Sequence, residues 1–299
     1  MIVPERRAPG SGGIEKTGSS DRQNFLRRTV SALVLAPLTI AAAFVGGWIF
    51  AAACMLTAAL VLWEWTVLVT GEADARILAP GLVALCASAV LAQVEAPRLA
   101  VDATALGTLA AAAGMAVLPN GQRRSAAAVI WAAAGVIYAG VILISPIVLR
   151  RDPELGFAAL AFLFATVWAT DIFAYLIGRR LGGPLLAPRI SPKKTWAGAI
   201  GGLAGGVVAG GVVAYASAGT QPVAAGVLAL VLSIAAQGGD LLESAVKRRF
   251  DAKDTSTLIP GHGGVMDRVD GLLVAALIAV VIGTWRFDAA AAARGLLLW

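Results

Sequence analysis

Charged residues are scarce in this sequence, at 14% of 299 residues, whereas 59% of the residues are hydrophobic. The mean hydropathy is +0.81, and several apolar runs exceed the roughly 18 residues that mark a membrane-spanning helix. This composition excludes a soluble protein, and the spans with their short connections leave no room for a separate soluble catalytic domain. The sequence therefore predicts an all-α, polytopic integral membrane protein.

Cysteine and histidine are also nearly absent. The two cysteines, Cys54 and Cys86, lie in separate apolar runs, where a thiol usually acts as a small hydrophobe, so they indicate no redox chemistry. No serine-hydrolase or cysteine–histidine arrangement is apparent. The net charge of +6 would suit a nucleic-acid partner, but the basic residues lie at the ends of apolar runs, as expected of cytoplasmic loops. No nucleic-acid partner is expected.

The chain divides into a polar tail and a membrane domain. Residues 1–28 are rich in glycine, serine, proline and charge, which predicts a disordered cytoplasmic tail. Residues 29–299 form the predicted membrane domain, and its first apolar run is expected to be a retained anchor because a long hydrophilic segment precedes it. About nine transmembrane helices are predicted, at 30–46, 48–70, 77–95, 99–118, 126–149, 155–177, 197–218, 222–240 and 271–285.

The basic residues predict the orientation of these helices. With the N-terminus in the cytoplasm, the cytoplasmic connections collect the Arg123–Arg124 pair, a basic group at 179–194 and the basic residues of 244–270. The Arg150–Arg151 pair falls on the opposite side and is the exception. The predicted location is the inner (cytoplasmic) membrane of the cell, with multi-pass topology.

Four acidic residues on the predicted membrane helices are notable for their depth: Glu64, Asp171, Asp240 and, one turn past the end of its span, Glu243. An ionised side chain in a membrane costs a few kcal/mol, so each is a candidate for function. Taken singly, each is equally well explained as an interfacial residue that is hydrogen-bonded or extends to water. Because all four fall in the cytoplasmic half of their helices, together they predict a shared polar cavity that opens to the cytoplasm.

The segment Ser244–Asp270 is polar and lies between two hydrophobic runs. If the preceding helix continues past Asp240, then Asp240, Ser244 and Lys247 share one face at i, i+4 and i+7. Asp267 and Asp270, at i and i+3, share a face at the start of the last span. The segment also holds the following basic, acidic and turn residues: Arg248, Arg249, Lys253, Arg268, Asp251, Asp254, Gly261, His262, Gly263 and Gly264.

This set of residues suits a nucleotide with its magnesium ion. Carboxylates bind Mg2+ through oxygen, basic side chains bind phosphate, and glycines allow the backbone to approach phosphate oxygens. Simpler explanations exist for each part. The basic residues could fix topology and contact anionic lipids, the acids at 267 and 270 could cap a helix, and His262 could be a turn residue. None of these explains why all the features occur together at a membrane boundary.

The motifs closely resemble those of the phosphatidate cytidylyltransferase (CDP-diacylglycerol synthase) family. The resemblance is carried by Ser244-x-x-Lys247-Arg248, Lys253-Asp254 and the run LIPGHGGVMDRVD at 258–270, and upstream by Asp171, Gly178-Arg179 and ISPKKTW at 190–196. It covers roughly the C-terminal half of the chain, with Trp63-Glu64 in addition. One position departs from the family pattern: Ala197 stands before Gly198 where an acidic residue is usual.

The resemblance implies condensation of CTP with phosphatidic acid to give CDP-diacylglycerol and pyrophosphate, as a step of phospholipid biosynthesis. The lipid phosphate is itself the nucleophile, so a metal ion, positive charge and alignment are sufficient and no covalent nucleophile is needed. Similar proteins suggest a two-cation centre with Mg2+ and K+. The implied partners are CTP, phosphatidic acid and membrane lipid, and a homodimer is allowed.

The resemblance also implies roles for individual residues. Asp240 and Asp267 are the implied metal ligands, with Asp270 a third ligand or a neighbour of the ligands. The implied catalytic residues, which neutralise the triphosphate and the leaving pyrophosphate or stand beside groups that do, are Lys247, Arg248, Lys253, Asp254, His262 and Arg268. The implied substrate-binding residues are Asp171, Ser191, Lys193, Lys194, Ser244, Gly263 and Gly264.

Two other functions are compatible with parts of the sequence. A CTP-dependent polyprenol or phytol kinase has a similar final loop and would transfer the γ-phosphoryl group instead. A small-molecule transporter would place its polar residues near mid-membrane, whereas the charge here gathers at one face. The lipid product formed from CTP, phosphatidate and Mg2+ distinguishes the three.

Overall fold

A bundle of long α-helices makes up most of the computed structural model, which describes residues 33–116, 125–256, 258 and 263–299. The helices within these residues are α1 Leu33–Val45, α2 Gly47–Thr70, α3 Ala75–Gln93, α4 Pro97–Ala116, α5 Ala126–Arg150, α6 Gly156–Leu181, α7 Trp196–Ala218, α8 Pro222–Arg249, α9 Met266–Arg286 and α10 Ala292–Leu297. Two short strands, β1 Leu185–Ala187 and β2 Ser191–Thr195, pair antiparallel between α6 and α7.

Seven of these helices, α2 to α8, are long and apolar enough to cross a membrane. The prediction of a helical, multi-pass membrane protein is therefore confirmed. The count of nine spans stays a prediction, because the described part of α1 is shorter than a span and α9 is not among the seven. The predicted tail at 1–28 and the Arg123–Arg124 pair lie outside the described residues.

The β-hairpin is a difference from the predicted all-helical chain. Leu185 pairs with Thr195 and Ala187 with Ser191, so the ISPKKTW motif forms the second strand and its exit. Thr195 then caps α7, because its hydroxyl accepts a hydrogen bond of 3.1 Å from the N–H of Gly198. The hairpin thus connects directly to the start of a membrane helix.

Small residues allow two helix pairs to approach closely. On α7, a Cβ atom added at Gly202 would lie 2.8 Å from the backbone oxygen of Thr170 on α6. On α8, a Cβ atom at Gly239 would lie 2.4 Å from the backbone oxygen of Asp270 on α9. Helices in a membrane associate through such backbone proximity, since lipid provides no hydrophobic driving force between them. The second contact brings two predicted site residues, Asp240 and Asp270, to the same place.

Two apolar clusters fill the bundle. The larger one includes Leu62, Leu143 and Phe162, all fully buried. The smaller one consists of Val61, Trp65, Tyr138, Ile142, Val246, Met266 and Leu273. Its members come from α2, α5, α8 and α9, so it fixes these four helices beside the polar segment.

Candidate metal and phosphate site

Helix α8 carries most of the predicted site residues beyond its apolar part. The helix runs for 28 residues to Arg249, so the condition under which Asp240, Ser244 and Lys247 share one face is met. At 1.5 Å per residue, Asp240 lies about 27 Å from the helix start, close to the thickness of a hydrocarbon core of roughly 30 Å. The last turns of α8 therefore present their polar side chains at a membrane boundary.

Three carboxylates form a compact cluster where α8 meets α9. Asp240 and Glu243 of α8 and Asp270 of α9 each offer an oxygen atom, and these atoms lie within 4.8 Å of one another. Glycine at position 239 makes this possible, because any side chain there would collide with the backbone of Asp270. Such a cluster of hard oxygen ligands is able to hold a divalent cation.

Glu243 is the most buried member of the cluster, with a side chain only 1% exposed. One of its oxygens lies 2.8 Å from Nζ of Lys247. That ion pair lacks hydrogen-bond geometry, and neither carboxylate oxygen has a hydrogen-bond partner among the described residues. Buried polar atoms are nearly always satisfied, so the oxygen of Glu243 that does not contact Lys247 would fit a cation held together with Asp240 and Asp270.

Lysine side chains partly balance the charge of these acids. Nζ of Lys194, on β2, lies 2.5 Å from an oxygen of Asp240. Nζ of Lys247 contacts both Glu243 and Asp267 at 2.8 Å, and its side chain is 14% exposed. The hairpin and α8 therefore each supply one ammonium group to the site.

Asp267 lies outside the cluster, although sequence reasoning made it a metal ligand. Its Oδ1 accepts a hydrogen bond of 2.8 Å from Lys247, and its Oδ2 accepts one of 2.7 Å from the N–H of Gly264. The same Oδ2 lies 3.2 Å from both the N–H and the hydroxyl of Thr255. Both oxygens are thus occupied by the protein, and Asp267 joins the loop, α8 and α9.

Glu64 of α2 is fully buried against the same loop. Its carboxylate accepts hydrogen bonds from the backbone N–H groups of Val265 at 2.8 Å and Met266 at 2.7 Å. The hydroxyl of Ser256 donates a third, at 2.6 Å. Sequence reasoning placed Glu64 in a shared polar cavity. In the structure its side chain extends from α2 to the start of α9. The cavity itself stays a prediction.

Gly264 fills a space that admits no side chain. An added Cβ atom would lie 2.0 Å from the hydroxyl oxygen of Thr255 and 2.7 Å from both oxygens of Glu64. The sequence suggested a phosphate contact for this glycine, and the structure supplies a packing reason. The neighbouring Gly263 has a φ of 86°, in the left-handed region that favours glycine.

Gly264→Ala is therefore expected to lower stability and activity together. The methyl group would force apart Thr255 and Glu64, at a cost of about 1–3 kcal/mol for overpacking. The measurements are the melting temperature in detergent and product formation. Gly211→Ala is the matched control, because a Cβ atom there meets nothing within 4 Å and alanine favours a helix. An unchanged melting temperature for Gly264→Ala would contradict this packing.

Most of the other predicted residues lie at the surface of the protein. Arg248 donates weakly to the backbone oxygens of Ile190 and Ala252, at 3.4 and 3.3 Å, and so touches the hairpin turn. The hydroxyl of Ser244 lies 3.5 Å from Asp240. The exposed residues of the set are Asp171, Lys193, Lys253, Asp254 and Arg268, and Ser191 is half-buried. His262 and Gly261 lie outside the described residues.

Comparison with known proteins decides the family. The cytidylyltransferase family profile matches residues 26–285. The chain belongs to the cytidylyltransferase family. A phosphatidate cytidylyltransferase of Brucella abortus is 44% identical over 261 residues, which is 87% of this chain and 93% of the relative. That of Haemophilus influenzae is 42% identical over 42% of this chain and 45% of the relative. That of Bacillus subtilis is 38% identical over 46% of this chain and 51% of the relative.

The resemblance found in the motifs is thereby confirmed. The match to the family profile extends well beyond the C-terminal half of the chain. Sequence reasoning named Glu243 as a candidate for function but not as a metal ligand, although its spacing of three residues from Asp240 was a usable signal. It also missed Thr255, whose backbone and hydroxyl hold Asp267. No local pattern marked Thr255, because its partner is 12 residues away.

Proposed function

We infer that the protein is a phosphatidate cytidylyltransferase, which condenses CTP with phosphatidic acid to give CDP-diacylglycerol and pyrophosphate. The observation that carries this inference is the cluster of Asp240, Glu243 and Asp270, with Lys194 and Lys247 beside it, at the end of α8. Relatives with that name match this chain over most of its length. The acids suit a cation, and the basic residues suit phosphate.

We propose Mg2+ as the cation of this cluster. Asp240, Glu243 and Asp270 would hold it, and the buried oxygen of Glu243 that does not contact Lys247 and lacks a hydrogen-bond partner supports this assignment. Asp267 would hold Lys247 in position through their hydrogen bond and would not itself bind the cation. When bound, the cation neutralises triphosphate charge and polarises the phosphoryl group that is attacked. K+ as a second cation stays a proposal from the family resemblance.

The reaction requires alignment more than acid–base chemistry. An oxygen of the phosphatidate phosphate attacks the α-phosphorus of CTP, a new P–O bond forms, and the bond to the β-phosphate breaks with release of pyrophosphate. Both substrates are anionic, so the basic residues reduce their repulsion and orient them. We assign this role to Lys194, Arg248, Lys253 and Arg268. We also assign Ser191, Lys193, Ser244 and Asp171 to substrate binding, as the family resemblance implies.

The protein is a multi-pass membrane protein, and we propose that its site faces the cytoplasm, where CTP is available. The exposed residues Lys253 and Arg268 support this orientation through the positive-inside rule. A cysteine at position 253 should resist an impermeant thiol reagent in intact cells and react in inverted inner-membrane vesicles. Labelling from outside would reverse the orientation. The homodimer stays a prediction.

Purified protein incubated with CTP, phosphatidate and Mg2+ is expected to release pyrophosphate and form CDP-diacylglycerol, identified by mass spectrometry of the lipid. Chelation of Mg2+ should stop the reaction. The control replaces phosphatidate by a polyprenol or phytol: γ-phosphoryl transfer would release CDP and form a phosphorylated alcohol. That product, or the absence of any CTP-dependent product, would overturn the proposed function.

A further inference from the structure

Glu64 joins a distant helix to the beginning of α9. It lies on α2, and its hydrogen-bond partners Ser256, Val265 and Met266 are 192 to 202 residues away in the sequence. Its side chain has no exposed surface, and the neighbouring Val61, Trp65 and Met266 are apolar and buried. A carboxylate is costly to bury unless its oxygens are hydrogen-bonded, and here both oxygens accept hydrogen bonds.

The position of these hydrogen bonds gives Glu64 a defined task. Helix α9 begins at Met266, and the residue before it, Val265, provides no side-chain cap. The first N–H groups of a helix lack partners within the helix and carry its positive dipole end. Glu64 satisfies two of them from another helix, so it performs the work of a capping residue for α9.

The capped turn carries the groups that organise the site. Asp267 is the residue after Met266 and binds Lys247, which in turn contacts Glu243. Asp270 follows one turn later and completes the acidic cluster. The direction of the first turn of α9 therefore determines where Asp267 and Asp270 lie relative to α8.

We propose that Glu64 is a positioning residue for nucleotidyl transfer: by capping α9 and holding Ser256, it sets the geometry of the cation and phosphate site without touching either substrate. This inference rests on the proposed function for its kinetic consequence. Its structural part, the capping of α9 by α2, stands on the hydrogen bonds themselves. If Glu64 served only general stability, its substitution would have no selective effect on cation binding.

The test compares Glu64→Gln, Ser256→Ala and the exposed control Glu72→Gln. In Glu64→Gln the amide nitrogen replaces one acceptor oxygen and faces a backbone N–H, so the cap is half lost while shape is kept. Hydrogen exchange at Val265 and Met266 is expected to speed up about tenfold or more, and kcat to fall about tenfold. The Mg2+ concentration for half-maximal stabilisation against heat should rise severalfold.

Ser256→Ala removes one donor and should change the same quantities less and in the same direction, which keeps the proposal testable if Glu64→Gln folds poorly. Glu72→Gln should match the parent. A lower melting temperature in Glu64→Gln and Ser256→Ala with unchanged Mg2+ dependence and unchanged exchange at α9 would overturn the proposal. If the parent made no CDP-diacylglycerol, the proposed function would fail, whereas exchange and Mg2+ stabilisation would still report on the capping.

Discussion

Asp240→Asn and Asp270→Asn are each expected to reduce formation of CDP-diacylglycerol by about a hundredfold or more at ordinary Mg2+ concentrations. Each substitution keeps the shape of the side chain and one oxygen but removes the charge that binds the cation. Without Mg2+, the variants should be at least as heat-stable as the parent, because one of three mutually repelling carboxylates is gone. The rise in melting temperature on adding Mg2+ should be lost.

The double variant should be little worse than either single variant, because ligands of one cation act as a unit. Asp251→Asn is the matched control: it is an exposed residue with a φ of 54°, a backbone conformation that asparagine adopts readily. Product formation and melting temperature are both followed across a Mg2+ titration. Near-parental activity in either single variant, or full parental activity in chelator, would contradict the cation site.

Lys247→Met is expected to lower the melting temperature of the protein and to abolish its activity. The ammonium group contacts two buried carboxylates, Glu243 and Asp267, whose side chains are 1% and 4% exposed. Removing one partner of a buried ion pair leaves an uncompensated charge and typically costs about 3–5 kcal/mol. A fall in melting temperature on the order of 10 °C is expected. The sequence alone suggested that Lys247 acts on the phosphates of the substrates.

Asp267→Asn tests the same ion pair from the other side. If the two residues act through their mutual contact, the variant that carries both substitutions should be less destabilised than the sum of the single ones. Arg249→Met, at an exposed cation two residues along α8, provides the control and should keep parental stability. If Lys247→Met and Asp267→Asn both kept the parental melting temperature, the ion pair would not stabilise the fold. Both residues would then be assigned to direct contact with substrate or metal.

The sequence was sufficient where the relevant partners are close in the chain. Once α8 continues past Asp240, helical spacing alone places Asp240, Ser244 and Lys247 on one face. The partner of Asp267 was not predictable, because Lys247 lies 20 residues away across a loop. Glu64 shows the same limit over a larger distance, since its hydrogen bonds depend on how α2 packs against α9.

The hairpin was missed for a different reason. Its strands have only three and five residues, and the second, SPKKT, lacks the alternation of apolar and polar residues that marks a strand. Pairing with β1 and the contact of Lys194 with Asp240 hold it in place. Such a strand is recognisable only through its tertiary contacts.

The length of α8 has a consequence for the membrane in which the protein works. The helix measures about 42 Å, so roughly 12 Å extends past a hydrocarbon core of about 30 Å, and the acidic cluster lies near that limit. A bilayer of longer acyl chains would bring the carboxylates towards hydrocarbon, or force the helices to tilt or the bilayer to thin. Turnover in vesicles of graded chain length should therefore decline as the bilayer thickens, which would make membrane thickness a physical regulator of how fast the lipid headgroup is activated.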